Sequence, residues 1–486
     1  MSEAMIKNVT ETMTESIGGT MIETETEACI RRSTFPYRAG EIFTLFADEK
    51  NAAFLDSSLE NNLGQYSIIG LVPYHEVSVE KGRLYVNGKA HPGSAEDYLN
   101  TYLQNHYRKN NTNLPLTDGA IGYVTYDYGM QEMGLTSRHE AKVAMADMKW
   151  VFYDFFIIED LKDHSLWFIA NGHTEPASVL LKKMEDLIAR KMANLTVSPL
   201  TATYPLAIHP DSTPDEYAQA LHKLIDYLIA GDVYVTNFTG TLTVDCQCPP
   251  YTFFSHLRRD NPSPFGAYLQ YDSYQIISAS MERLLRIDGR HIETRPIKGT
   301  RRRGKTPAED AALRAELGAS KKDRSELLMI VDLERNDLNK ICEPGSVSVP
   351  TLFSVEDYAS VFHLVANVTG TLRPELTSID ALTALFPGGS ITGAPKRRAM
   401  EIIDELESSR RQLYTGTIGY LSLDGNCDLN IVIRTAIHQD DTYYIGVGGG
   451  ITAESERDFE YEEIWQKAKA LLTALKGETF DYEPYL

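Results

Sequence analysis

The sequence predicts an α+β protein built on large antiparallel β-sheets. Short strand-like runs, separated by Gly, Asn and Asp turns, dominate residues 35–200. Near the C-terminus three further runs alternate with turns at 424–426 and 439–441, which is typical of an antiparallel meander. The sequence contains neither a βαβ series nor a repeat of 20–50 residues, which argues against a parallel sheet or a solenoid.

The first half of the chain is predicted to begin with a disordered segment, residues 1–30, because few large apolar side chains occur there. Residues 31–200 form the first folded region, with one amphipathic helix over 177–192 that starts after Pro176. Residues 194–210 lack periodicity and are interpreted as a connection. The strands of this half are expected at 53–55, 66–69, 120–124 and 149–158.

The second half, residues 211–480, is predicted to begin with a helix over 217–230 that Thr213-Pro214 starts and Gly231 stops. A long helix is expected over 308–332, with an interruption near Gly318, and a last helix over 458–475. The strands of this half are expected at 233–244, 265–287, 416–423, 429–438 and 442–447.

The composition excludes several classes of partner. The net charge of −21 repels phosphate backbones, which argues against nucleic acid. The longest apolar run, residues 150–158, is interrupted by Asp154 and is too short to cross a bilayer. We therefore expect no nucleic-acid partner and no membrane association.

The five cysteines predict ordinary reduced thiols. Their number is odd, and Cys246 and Cys248 are separated by one residue where a zinc or thioredoxin pair has two. The first thirty residues also lack the apolar core of a secretory signal. Together these features predict a cytoplasmic protein.

The first stretch that indicates chemistry is a basic one, residues 294–304, which contains Lys298 between Ile297 and Gly299. A basic surface loop is one explanation for such a run. The other is a nucleophile, because a lysine held among apolar groups and beside other cations loses its proton more easily. The residues alone leave both open.

The second stretch is glycine-rich, residues 386–396, and leads into a helical pattern over 397–407. A phosphate-binding loop requires Gly-Lys-Ser/Thr, whereas Ala-Pro follows Gly393, so the nucleotide interpretation fails. Two interpretations remain: a tight structural turn, or an anion site at a helix start that uses backbone N–H groups and the hydroxyl of Ser390 or Thr392.

The third stretch is the last helix, where Glu460, Glu463 and Lys467 share one stripe at positions i, i+3 and i+7. Asp323 and Glu326 repeat the three-residue spacing in the earlier long helix. A solvated charge stripe would explain these residues. Two helices that each offer a carboxylate pair could instead hold a hard cation such as Mg²⁺.

Together these stretches resemble the family of chorismate-utilising enzymes, which includes anthranilate, aminodeoxychorismate, isochorismate and salicylate synthases. The resemblance extends from about Phe54 to the C-terminus. It implies a sandwich of large antiparallel sheets with helices on the outside. The motifs that carry it are RPIKGT (295–300), KDRSELLMIVDLERND (322–337), FPGGSITGAPK (386–396), IGY (418–420), IRT (433–435), GGGIT (448–452) and the EYEE segment (460–463).

The resemblance implies a Mg²⁺ ion and a set of residues around chorismate. Glu326 and Glu463 match the two carboxylates that hold the metal, with Asp323 and Glu460 in flanking positions. Glu282 matches the general acid that protonates the departing 4-hydroxyl. The positions that match the substrate-binding groups are Arg434 and Tyr414 at the enolpyruvyl carboxylate, the backbone of Gly449 and Gly450, Lys467 near the ring carboxylate, and Ser390 and His363 along the ring.

The residue at position 298 distinguishes members of this family. Anthranilate synthases generally carry Ala there, whereas aminodeoxychorismate synthases carry a lysine that attacks ring C2, so Lys298 implies amination of chorismate at C4. Isochorismate and salicylate synthases activate water with a lysine at the position of Val235. Aminating members often have Gln there, so Val235 departs from their pattern as well.

The resemblance also implies a partner, since the aminating members receive ammonia from a glutamine amidotransferase. The synthase region fills the sequence, so we expect that glutaminase to be a separate subunit. Two alternatives remain: an anthranilate synthase component I with an unusual lysine, and a non-catalytic chorismate-binding subunit.

Overall fold

The structure is a computed structural model that describes residues 10–17, 20–59, 61, 63–195, 201–358 and 361–485, with side chains from residue 28 onward. The helices are α1 Ala39–Phe43, α2 Ala95–Asn105, α3 Tyr126–Glu132, α4 Ala177–Ala193, α5 Pro214–Ala230, α6 Pro250–Asp260, α7 Pro307–Ala319, α8 Lys321–Asn339, α9 Ser378–Leu385, α10 Lys396–Leu406 and α11 Arg457–Lys476. Short 3₁₀ turns occur at Gly389–Ile391 and Glu483–Tyr485.

The strands are β1 Thr10–Ile17, β2 Thr20–Glu27, β3 Cys29–Arg32, β4 Ala53–Asp56, β5 Tyr66–Glu80, β6 Arg83–Val86, β7 Lys89–Ala90, β8 Gly119–Val124, β9 Met148–Asp160, β10 Ser165–Ala170, β11 Ala207–Pro210, β12 Val235–Asp245, β13 Phe265–Gln270, β14 Gln275–Ser280, β15 Arg283–Asp288, β16 His291–Arg295, β17 Ile297–Arg302, β18 Ser348–Asp357, β19 Val361–Thr371, β20 Gly393–Ala394, β21 Thr417–Ser422, β22 Cys427–Asn430, β23 Thr435–Gln439 and β24 Thr442–Ile451. Every pairing among them is antiparallel.

The strands form two large sheets that share β5 and β9. The first sheet has the order β3-β10-β9-β5-β4-β13-β14-β23-β24-β12. The second continues from β9 as β8-β21-β22-β15-β16-β19, with β17 and β18 also paired to β19. One half of β9 pairs with β8 and the other with β10, so the sheets diverge along a single strand.

The two sheets pack face to face with helices outside, as strand alternation requires. In β13, Ala267 and Leu269 face the second sheet, where they pack in one cluster with Ile121 and Ile418. Tyr268 between them faces the cluster under α5, α6 and α11. A third cluster lies between the second sheet and α7, α8 and α9. This arrangement confirms the predicted α+β sandwich.

The helix boundaries follow the local capping chemistry. Thr213 and Glu216 form a capping box at the start of α5, and Gly231 ends that helix with φ +82°. The predicted long helix is divided into α7 and α8 at Ser320 and not at Gly318. The Ser320 side chain accepts a hydrogen bond from the N–H of Asp323, which caps a new helix there.

The predicted meander needs one correction, since residues 429–438 are not a single strand. The chain leaves the second sheet after Asn430 and enters the first at Thr435. Accordingly β22 pairs with β15 and β21, whereas β23 pairs with β14 and β24. The buried Ile431 and Val432 lie within this crossing between the layers.

The amino-terminal half contains more structure than the sequence predicts. Helices α1, α2 and α3 accompany the predicted α4, and β1 and β2 form an antiparallel pair inside the segment expected to be disordered. Alternating threonines favour extended backbone in that pair, while residues 1–9 of the segment lie outside the described part. Strands β4 and β8 pair with β13 and β21, so the two predicted regions share both sheets.

Candidate active site

Lys298 lies on β17 beside a β-bulge. The pairing with β19 shifts by one residue between Lys298 and Thr300, where Gly299 has φ +77°. The Lys298 Nζ donates a hydrogen bond to the carbonyl oxygen of Ser390 at 2.9 Å. A side chain on Gly450 would come within 3.4 Å of that nitrogen. The glycine-rich stretch and the GGG motif thus meet at the lysine amine.

Burial lowers the pKa of Lys298, although the carboxylates of Glu282 and Glu326 act in the opposite direction. Lys467 adds to the lowering by repelling a second positive charge. A lysine with a depressed pKa holds more of its amine in the neutral, nucleophilic form. The environment of Lys298 therefore has the character that the sequence predicts for a nucleophile.

Glu282 follows β14 and is only 5% exposed. Its Oε1 accepts a hydrogen bond from the N–H of Ile297 at 3.3 Å, which places the carboxyl beside the start of β17. Burial raises the pKa of Glu282, with Ser390 and Lys298 opposing the increase. A buried carboxyl with a raised pKa is suited to donate a proton near neutral pH.

His363 on β19 is buried at the same end of the site. Its Nδ1 and the hydroxyl of Thr300 form a hydrogen bond of 3.0 Å. Burial lowers the pKa of His363 to about 4, and the charge of Arg434 adds to the effect, so the ring is neutral near pH 7. Within the described chain, His363 Nε2 and Ser390 Oγ are buried without a hydrogen-bond partner. Both atoms are open to a polar ligand.

Arg434 lies in the crossing between the sheets, which corrects its predicted placement on a strand. It adopts a left-handed backbone with φ +51°, and its Nη1 donates a hydrogen bond to the carbonyl oxygen of Lys467. The ring of Tyr414 lies against Gly446, where a Cβ would come within 2.1 Å of the ring. Burial raises the pKa of Tyr414 to about 12, so it remains a neutral hydrogen-bond donor.

Helices α8 and α11 bring carboxylates toward these groups. Lys467 Nζ donates to Glu463 Oε2 at 2.9 Å and to the carbonyl oxygen of Gly448 at 2.8 Å. A Cβ on Gly449 would lie 2.4 Å from Glu463 Oε2, so a larger residue there would displace this carboxylate. Burial raises the pKa of Glu463, but the charges of Lys467, Lys298 and Arg434 together outweigh that effect and the net change is downward.

Glu326 and Glu460, two further carboxyls of the predicted metal site, have pKa values shifted in the opposite direction from that of Glu463. Burial raises the pKa of both Glu326 and Glu460. Glu460 is 4% exposed, whereas Glu463 has the ammonium of Lys467 beside it. Glu326 and Glu463 act on each other electrostatically, as do Glu460 and Glu463. Glu463 on α11 is therefore close enough to Glu326 on α8, and to Glu460 on its own helix, to raise the pKa of both.

Asp323, the fourth predicted metal-site carboxylate, is engaged elsewhere. Its Oδ2 accepts from Arg301 Nη2 at 3.1 Å, and the same guanidinium donates to Glu316 on α7 at 2.8 Å. A Cβ on Gly299 would lie 2.8 Å from the Asp323 carboxyl carbon. Asp323 thus packs under the bulge that follows Lys298.

The donor set fits Mg²⁺ better than a metal that needs a closed protein cage. Among the described residues no three His, Cys, Asp or Glu side chains converge as a ready-made cluster. Mg²⁺ usually keeps several waters and takes one or two protein carboxylates, and Glu326 and Glu463 supply those. A thiolate metal site is disfavoured because burial raises the pKa of Cys248 to about 12, with Cys246 beside it.

One buried acid of this region escaped the sequence analysis. Glu334 on α8 accepts a hydrogen bond from Thr294 at 3.0 Å, and burial raises its pKa well above the ordinary value, with Glu282 adding to the increase. Its position was a usable signal, because Leu327, Val331, Glu334 and Leu338 follow one buried helical stripe.

A separate cavity lies elsewhere in the fold. It has a volume of about 420 Å³ and opens between the two sheets, beside Asp56, Arg283 and Tyr420. None of the predicted catalytic, substrate-binding or metal-binding residues lines it. The candidate active site therefore rests on its chemistry and not on the size of its cavity. In the described part of the chain, no helix has the length and apolarity needed to span a membrane.

The fold and the site define a class of protein. An antiparallel sandwich presents a partly buried lysine, a buried acid and an arginine opposite carboxylates from two helices, which suits an enzyme that handles a small anion with a divalent cation. The chain belongs to the chorismate binding enzyme family, whose model matches residues 51–473. This confirms the resemblance predicted from the sequence.

Individual relatives carry two different names. The chain is 40% identical over 367 residues to aminodeoxychorismate synthase component 1 of Klebsiella aerogenes, covering 75% of this chain and 78% of that protein. It is 34% identical over 432 residues to anthranilate synthase component 1 of Lactococcus lactis, covering 87% and 94%. The crystal structure of anthranilate synthase component I from Streptococcus pneumoniae matches with a TM-score of 0.76 and 32% identity, covering 85% and 93%.

Proposed function

We propose that this chain aminates chorismate at C4 to give 4-amino-4-deoxychorismate, as an aminodeoxychorismate synthase component I in 4-aminobenzoate formation. The observation that carries the proposal is the Lys298 amine, partly buried, depressed in pKa and held between the Ser390 carbonyl and Gly450. The position of Val235, where water-activating relatives have lysine, holds a buried aliphatic side chain on β12.

The proposed reaction consists of two displacements. The Lys298 amine attacks ring C2, the two conjugated ring double bonds shift toward C4, and the C4–O bond breaks as Glu282 protonates the departing 4-hydroxyl, so water leaves. Ammonia then attacks C4, the two double bonds shift back, and the C2–N bond to the lysine breaks. Dividing one difficult substitution into two easier ones is the general advantage of a covalent intermediate.

The remaining residues would hold the substrate. Arg434 and Tyr414 would bind the enolpyruvyl carboxylate, for which a planar guanidinium provides two parallel donors. Gly449, Gly450 and Lys467 would contact the ring carboxylate, and the open Ser390 Oγ and His363 Nε2 would face the ring. The Ser390 and His363 assignments use two polar atoms that the described chain leaves without partners.

Glu326 and Glu463 would hold Mg²⁺, with Asp323 and Glu460 flanking it through water. When bound, the cation would offset the repulsion between these glutamates and the anionic substrate. Lys467 donates a hydrogen bond to Glu463 at 2.9 Å. We expect Glu463→Gln to lose binding of Mn²⁺, a spectroscopic substitute for Mg²⁺, which a metal titration would measure independently of turnover.

We further propose that ammonia comes from a separate glutamine amidotransferase subunit in the cytoplasm. The relatives named component 1 support a partner subunit. If the purified chain alone used glutamine as efficiently as ammonium, this part of the proposal would be wrong.

The second candidate is anthranilate synthase component I, because relatives of that name match as much of the chain. The product discriminates the two: purified chain, chorismate, Mg²⁺ and ammonium should give 4-amino-4-deoxychorismate by mass spectrometry. Fluorescent anthranilate together with pyruvate would favour the second candidate. A complete lack of Mg²⁺-dependent chorismate consumption would leave only a binding subunit.

A further inference from the structure

Asn237 on β12 combines a fixed backbone with an unengaged carboxamide. Its N–H donates to the carbonyl oxygen of Thr392 at 2.7 Å, and its carbonyl oxygen accepts from Arg411 Nη2 at 2.7 Å. The hydrogen bonds of Asn237 within the described residues use its backbone alone, although the residue is only 8% exposed. Buried polar groups are rarely left unpaired, because an unpaired group loses its hydration without compensation. The carboxamide therefore indicates a ligand.

The pairing of β12 with β24 sets the direction of this side chain. Asn237 lies directly opposite Gly450. Since both backbone groups of Asn237 bond away from β24, the two residues form a non-hydrogen-bonded pair, the kind in which side chains approach most closely. Opposed residues direct their side chains to the same face of a sheet. On the other face, Phe238 packs against Tyr217 of α5, with ring centroids 5.3 Å apart.

The face shared by Asn237 and Gly450 leads to the Lys298 amine. A Cβ on Gly450 would lie 3.4 Å from Lys298 Nζ, and apart from the chain neighbours of the glycine no other described atom lies within 4 Å of that position. On the same face of β12, Val235 is aliphatic and the hydroxyl of Thr239 already donates to a buried glutamate at 2.9 Å. The carboxamide of Asn237 is thus the polar group that this part of β12 offers to the space beside the lysine.

We propose that Asn237 is a substrate-binding residue whose carboxamide N–H donates a hydrogen bond to the ring carboxylate of chorismate. The inference rests on the proposed function, which places that carboxylate beside Gly450 and ring C2 beside Lys298. An amide donates hydrogen bonds without carrying a charge. It can therefore hold a carboxylate next to Lys298 without favouring the ammonium form of the lysine, as an acidic side chain would.

The test is Asn237→Leu, which keeps a similar volume and removes the carboxamide. We expect the Kd of chorismate, measured by calorimetry with Mg²⁺, and its KM to rise about tenfold or more, the effect of losing one hydrogen bond to a charged group. The KM for ammonium should stay constant. Asn237→Asp should weaken chorismate binding further, because it sets a second carboxylate against the first. The midpoint of thermal unfolding of Asn237→Leu should stay equal or rise, because an unpaired buried group is removed.

Asn171→Leu is the matched control. Asn171 directly follows β10 and is 1% exposed, and both polar atoms of its carboxamide are buried without a partner in the described chain. Its strand pairs with β3 and β9, away from β12 and β24. We therefore expect this variant to bind and convert chorismate as the wild type does.

Two results would overturn the assignment. A higher KM for ammonium with an unchanged Kd for chorismate would place the carboxamide of Asn237 at the incoming nitrogen. Unchanged constants for both substrates would make the residue structural only. Failure of the proposed function is separable, since it would appear in the wild type as the absence of 4-amino-4-deoxychorismate, whereas the chorismate Kd values of wild type and variants are compared without turnover.

Discussion

Replacing Lys298 by alanine is the most direct test of the proposed chemistry. The substitution removes the amine that donates to the Ser390 carbonyl at 2.9 Å and leaves the bulge at Gly299 in place. It also removes a cation whose charged form burial disfavours. The fold should therefore tolerate the change, because the loss of the hydrogen bond and the relief of the buried charge act in opposite directions.

The two effects can be given approximate sizes. One hydrogen bond to a carbonyl contributes about 1 kcal/mol, so the free energy of unfolding should change by no more than about 1–2 kcal/mol. Loss of a covalent nucleophile should lower the rate of C4 amination at least about 10³-fold, which corresponds to roughly 4 kcal/mol in the barrier. The loss of activity would thus exceed what any loss of stability explains.

The assay is product identification from chorismate, Mg²⁺ and ammonium, with substrate binding measured by calorimetry on the same protein. Lys191→Ala provides a matched control, because Lys191 also donates to a backbone carbonyl, that of Leu45, at 3.0 Å, but on α4. We expect Lys298→Ala to bind chorismate and to lose or redirect amination, and Lys191→Ala to behave as the wild type. Unchanged formation of 4-amino-4-deoxychorismate by Lys298→Ala would refute the nucleophile assignment.

Two further predictions concern other residues of the site, and a third concerns a buried ion pair outside it. Glu282→Gln should lower kcat about 10²–10⁴-fold; because burial raises the pKa of Glu282 and the acid form is the active one, wild-type kcat should fall as pH rises through that raised pKa, and this limb of the pH–rate profile should vanish in the variant. Arg434→Lys should raise KM for chorismate about tenfold or more in steady-state kinetics, since an ammonium cannot match two carboxylate oxygens. Glu407→Gln should cost about 3–5 kcal/mol in denaturant unfolding, because it breaks the buried pair with Arg411, whose Nη2 lies 2.6 Å from Glu407 Oε1.

Each of these predictions has a contrary outcome. A Glu282→Gln profile with the wild-type pH dependence would assign the acid elsewhere. If Arg434→Lys changed kcat alone, the guanidinium would not be a ground-state carboxylate ligand. An unfolding midpoint of Glu407→Gln equal to that of the wild type would show that the buried pair contributes nothing net to stability.

The sequence predicted those helices whose ends are determined by residues close by in the chain. The helix α5 shows this, because Thr213 and Gly231 cap it through neighbours within four residues. The break at Ser320 was displaced by two residues from the expected Gly318, since glycine marks flexibility whereas the serine hydroxyl starts a new helix. Local chemistry therefore predicted that the long helix is interrupted but not which residue interrupts it.

Features that depend on distant contacts were beyond the sequence pattern. Residues 429–438 alternate like one strand, yet their two ends pair in different sheets, and Arg434 occupies the crossing with a left-handed backbone. Motif resemblance predicted a set of site residues, but it carried no information about the backbone conformation at those residues.

The Arg301–Asp323 pair shows how the fold positions the proposed catalytic residues relative to one another. The first turn of α8 holds β17 through this ion pair and packs Asp323 under Gly299, next to the nucleophile. One turn later the same helix carries Glu326, a proposed metal ligand. The Arg301–Asp323 ion pair is therefore one of the contacts that set the position of Glu326 relative to β17 and Lys298. The proposed nucleophile on β17 and the proposed metal ligand on α8 thus lie on two elements that this ion pair connects, although separate motifs encode them.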